Sequence, residues 1–101
     1  MAQGRLEYYI SLANEGTRVS IKKIMNELNR NMTLIDSKLI DFTLGNVINE
    51  DGIEIMKEYL FKGTQIQRNY CTLYFIRRGE YLIVRKAYGE GLIDAKQAFS
   101  R

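Results

Sequence analysis

Apolar residues along this chain recur at intervals of three and four, and glycines punctuate the runs. Leu6, Tyr9, Ile10 and Ala13 share one helical face, and Gly16 is placed to end that helix in a left-handed cap. Ser20 reads as the N-cap of a second helix carrying Ile21, Ile24, Met25 and Leu28. Asp36 reads as the cap of a third, with Leu39, Ile40, Leu44, Val47 and Ile48 inside it. Phe42 widens the apolar face of that helix, which predicts a central position for it.

Three later starts share one signature. Asp51 is followed at N3 by Glu54, Thr64 by Gln67, and Asp94 by Gln97. In each pair the first side chain can accept from the N3 amide while the N3 side chain reaches back to the cap amide. Gly63, Gly79 and Gly91 stand where the preceding helices should stop. With no proline to break an interior, the pattern predicts seven helices, at about 5–15, 20–30, 36–49, 52–62, 65–78, 80–90 and 95–100. The expected fold is all-α, a single domain over 1–101 built from stacked antiparallel helical hairpins. The competing reading is a winged-helix-like α+β fold. Residues 72–77 and 81–85 are rich in strand formers, and a β-hairpin over 71–86 could turn at residues 78–80. The helical reading places Leu73, Ile76, Ile83 and Ala87 between the last long helices, with Leu60 reaching them.

A recurrence supports the hairpins. Ile55, Met56, Tyr59, Leu60 and Gly63 are echoed by Ile83, Val84, Ala87, Tyr88 and Gly91. The spacing resembles the second helix of ankyrin repeats, and Phe75, Gly79, Tyr81 and Tyr88 resemble positions of tetratricopeptide repeats. The ankyrin T-P-L-H turn and the tetratricopeptide Trp and Pro are missing, so the resemblance extends to stacked helical hairpins and assigns no family.

Composition removes whole classes of chemistry. With no histidine and one cysteine, the chain lacks the usual zinc ligands and any Ser-His or Cys-His nucleophile pair. Gly52 at the sixth position of a calcium loop would put Val47 at the first, where an oxygen ligand is required. No phosphate-binding glycine loop is present, and Gly89 to Gly91 reads as a helix end. A non-enzyme without metal or cofactor is therefore expected. Cys71 has no partner for an internal disulfide and sits beside a run of apolar residues, which predicts a buried thiol and suits the reducing cytoplasm. The start of the sequence lacks a basic, then apolar, secretory pattern, and no run is long enough to cross a bilayer.

The net charge of +3 is unevenly distributed. Residues 1–50 carry six basic and six acidic side chains, whereas residues 51–101 carry nine and six. The C-terminal surplus centres on Arg77, Arg78, Arg85 and Lys86, interleaved with Tyr74 and Tyr81. Arginine beside tyrosine suits a protein interface and also a phosphate backbone with stacked bases. Glu80, Glu90 and Asp94 interrupt the positive field, so a regulatory or protein-binding module using this surface is the leading expectation. A nucleic-acid-binding protein is the alternative, through the same cluster or through residues 20–48. Residues 20–28 (SIKKIMNEL) resemble the first helix of a DNA-binding helix-turn-helix, but the helix to follow carries Asp36, Asp41 and a broad apolar face. The exposed ends of a short hairpin array also favour self-association.

Overall fold

The computed structural model describes residues 4–29 and 31–99. Among them 75% is helical, in seven helices with no strand. The helices are α1 (Arg5–Glu15), α2 (Arg18–Glu27), α3 (Leu34–Leu44), α4 (Glu50–Lys62), α5 (Gln65–Arg77), α6 (Tyr81–Gly89) and α7 (Ala95–Ala98). The backbone divides into two compact units between Met56 and Lys57, inside α4. No helix among the described residues is long and apolar enough to cross a membrane. The expected ends of the second and last helices, at Arg30 and Ser100, lie outside the described residues.

In the first unit α1 packs against both α2 and α3. Tyr9, Leu12 and Ala13 of α1 are buried, as are Ile21, Ile24 and Met25 of α2 and Ile40 and Leu44 of α3. A polar link runs across the three helices. Arg5 Nη2 donates to Tyr9 Oη at 3.1 Å, Tyr9 Oη donates to Glu27 Oε1 at 3.2 Å, and Arg5 Nε lies 3.4 Å from Asp36 Oδ1.

Three helix starts differ from expectation. Thr17, not Ser20, caps α2: its Oγ1 accepts from the Ser20 amide at 3.1 Å while Ser20 Oγ accepts from the Thr17 amide at 3.0 Å. Thr33 likewise caps α3 by accepting from the Asp36 amide at 3.1 Å. In both cases the residue read as the cap is the N3 partner of a cap three residues earlier. At α4, Asn49 Oδ1 accepts from the Asp51 amide at 3.0 Å, and the helix begins at Glu50, so Asp51 lies in the first turn and does not precede the helix as its cap. Helix α3 ends at Leu44 instead of residue 49, because Gly45 and the turn bonds from Asn46 to Thr43 O and from Val47 to Leu44 O redirect the chain. Val47 is still fully buried.

In the second unit α5 packs on α6 and α7, and α6 packs on α7. The predicted boxes form at Thr64/Gln67 and at Asp94/Gln97. Residues 71–86 are helical on both sides of the bend, so the β-hairpin reading is overturned. The capped start at Thr64 propagates through the strand-forming residues, and the bend satisfies its carbonyls as a helix end does. Gly79 donates to Ile76 O and Glu80 to Phe75 O, both at 2.9 Å, with Gly79 at φ 74°. The same pattern closes α6, where Gly91 donates to Tyr88 O and Leu92 to Ala87 O. Arg68, in the first turns of α5, ties the end of α6 to that of α4: its Nε donates to Leu92 O and its Nη1 to Gly63 O, both at 2.8 Å. Leu60, Ile76 and Ala87 are buried as expected, but Leu73 and Ile83 are only half-buried, whereas their neighbours Phe75 and Val84 are fully enclosed.

Candidate functional site

The bend between α5 and α6 and the outer face of α6 gather most of the residues singled out in the sequence. Tyr74 faces inward. It is 3% exposed and meets Phe75 edge-on, with ring centroids 5.1 Å apart. Burial raises its phenol above the usual tyrosine range; Arg78 opposes that shift and Glu80 adds to it. The Arg78 guanidinium stands 5.3 Å from the Tyr74 ring centroid, and its Nε donates to Glu80 Oε2 at 3.1 Å. Tyr74 thus supports Arg78 from below. Arg77 is exposed in the last turn of α5, where a cation complements the helix dipole.

On α6 the helical period separates the residues cleanly. Val84 and Ala87 face the core, whereas Tyr81, Leu82, Arg85, Lys86 and Tyr88 face outward. Tyr81 and Arg85 therefore share a face, as the i, i+4 spacing implies. Leu82 is the most exposed large apolar side chain described, at 84%. Lys86 Nζ lies 5.7 Å from the Phe61 ring centroid, and Tyr88 meets Phe99 edge-on at 5.4 Å. An open groove lined by Lys57, Gly79, Glu80, Tyr81, Leu82 and Ile83 adjoins this face.

The structure brings Tyr81, Arg85 and Lys86 to one accessible surface and Arg77 and Arg78 to the neighbouring bend. It does not bring Tyr74 there as a contact residue. Leu82 was missed by sequence reasoning, because it lies inside the unbroken apolar run from Tyr81 to Val84. From Lys57 onward the chain carries nine basic and four acidic side chains, so the face lies on a positively charged unit. Comparison with known proteins gives no match to a family model, to a curated protein or to a solved structure.

Proposed function

We propose that this chain is a small, non-catalytic protein-interaction module, and that the outer face of α6 docks a partner segment bearing acidic and apolar side chains. The observation that carries this reading is the exposure of Leu82 between Tyr81, Arg85, Lys86 and Tyr88. An apolar anchor within aromatic and basic neighbours fits an interface better than it fits a surface evolved only to remain in water. The positive unit favours an acidic partner through charge steering. Arg78, already held by Glu80 and Tyr74, serves as a positioned rim charge in this reading. The lone buried Cys71 agrees with a reducing, cytoplasmic setting.

The test is affinity capture after nuclease treatment, with the native chain beside Leu82→Ser, Tyr81→Ala and Arg85→Glu chains. Protein capture should persist without nucleic acid and fall at least about tenfold for each variant. The nucleic-acid reading of the same cluster makes the opposite prediction. Mixed-sequence DNA or RNA would bind with a steep salt dependence, weakened by replacing Arg77 and Arg78 and indifferent to Leu82→Ser.

A further inference from the structure

The outer face of α6 calls for a segment that sets an apolar anchor beside carboxylates, and this chain carries such a segment in its own first unit. Ile48 is 77% exposed and stands between two residues that are tied down. On one side Val47 is fully buried. On the other, Asn49 Nδ2 donates to Glu15 O at 3.4 Å and its Oδ1 accepts from the Asp51 amide at 3.0 Å. The backbone thus holds Ile48 out in water, and docking would fix little that is not already fixed. Glu50 and Asp51 follow, both exposed in the first turn of α4. From Leu39 to Met56 the sequence has four acidic residues and no basic one. Helix α6 is the inverse, with Arg85 and Lys86 and no acidic residue. The units differ in the same sense: six basic and eight acidic side chains up to Met56, nine and four beyond it. Leu34, Ile35 and Phe42 of α3 are exposed as well, but Asp36 of that helix is already held by Arg5, and it carries exposed Lys38.

We propose that the partner of the α6 face is a second copy of this chain. Ile48 of one copy sets against Leu82 of the other, and Glu50 and Asp51 against Arg85 and Lys86. The proposal rests on the reading of α6 as a docking surface and names what docks there. The contact joins unlike surfaces, so it is heterologous. Charge selects it over the like pairing, because two α6 faces brought together would oppose cations to cations. One apolar anchor on each side covers less than the ~1,200 Å² of stable complexes. Association is accordingly weak, with a Kd on the order of 100 µM.

Sedimentation velocity on the full chain from about 5 µM to about 500 µM brackets that value. The weight-average mass should rise with concentration. Raising salt from about 50 mM to about 500 mM should weaken association at least about threefold. Ile48→Ser and Leu82→Ser, at exposed positions and with the fold checked by circular dichroism, should each weaken self-association at least about tenfold. Each of these variants keeps one working surface, the α6 face in the first and the Ile48 segment in the second. Mixed in equal amounts they should therefore form a one-to-one pair with the affinity of the native contact, and nothing larger. A native chain that stays monomeric throughout overturns the proposal. If Leu82→Ser still abolishes capture of a different protein, the α6 docking surface itself stands; if nothing is captured through Leu82, both readings fall. Association that survives Ile48→Ser but is lost with Phe42→Lys overturns the proposal in favour of the α3 face. Failure of the mixed variants to pair, where native chains associate, overturns it as well.

Discussion

At Gly79 the backbone enters the left-handed region, at φ 74°, and an added Cβ would meet nothing within 4 Å. The requirement there is conformational. Gly79→Val should therefore cost at least about 1–2 kcal/mol, and Gly79→Asn distinctly less, because asparagine tolerates this region better. Gly52 is required for a different reason. A Cβ on it would lie 2.6 Å from the Gly16 carbonyl oxygen and 3.0 Å from Val47 Cγ1. Alanine is ordinarily favoured over glycine inside a helix by about 1 kcal/mol. Here Gly52→Ala should instead destabilise by about 1–3 kcal/mol, the usual range for forcing atoms into a packed interior. Urea denaturation of the three variants checks both statements; a stabilised Gly52→Ala chain would show that α4 can shift away from Gly16. The first role is legible in the sequence, since Gly79 stands at the end of a helical pattern. The second is not, because the neighbour it must admit comes from a distant stretch of chain and leaves no local trace.

Helix existence was readable because caps and glycine stops are local chemistry, and local chemistry decides where backbone amides and carbonyls find partners. The exact cap was harder. Thr17/Ser20 and Thr33/Asp36 each contain two residues able to cap, and the folded chain uses the earlier one in both. The rotation of α6 was harder still. Tyr81, Leu82, Ile83 and Val84 form an unbroken apolar run, so the sequence offers no polar gap to mark the outer face. Only contact with α5 and α7 turns Val84 inward and leaves Leu82 in water. That rotation also decides the α6 part of the candidate site: Tyr81 and Arg85 were legible by their spacing, whereas Leu82 was hidden in the run; on α5, Tyr74 lies in the core with its ring against Phe75. The consequence is measurable. Phe75→Ala, at a fully buried ring, should cost about 3–5 kcal/mol. Ile83→Ala should cost distinctly less, and Leu82→Ala close to nothing, as surface changes do. Equal losses at Ile83 and Phe75 would place the wrong side of α6 against the core.

Among the described residues, the fold moves the thiol of Cys71 and the phenols of Tyr9, Tyr59 and Tyr74 in one direction. There is no histidine, so no side chain with an ordinary pKa near neutrality is present. Burial raises the Cys71 thiol well above its usual 9.0, and is also the first cause of the upward shifts of Tyr9, Tyr59 and Tyr74 from 10.0. Arg5 opposes the shift of Tyr9 and Arg78 that of Tyr74, without reversing either. In each case the folded chain holds its proton to higher pH than the unfolded chain. Above the unfolded pKa the unfolded state binds fewer protons than the native state, so stability falls as pH rises. The contribution of these four groups is complete below about pH 9. Cys71 begins to withdraw it near pH 9 and the tyrosines near pH 10, and the loss continues until each folded pKa is passed. The melting temperature should thus be level between about pH 6 and 8 and decline above about pH 9. Cys71→Ala should lower stability at neutral pH by leaving a small cavity, while moving the start of the alkaline decline toward pH 10. The native thiol should stay inert to an aqueous thiol reagent until the chain unfolds. Scanning calorimetry from pH 6 to 10.5 reads the profile directly. A step near pH 6.5, or a profile that remains level through pH 10.5, would contradict the burial of these groups.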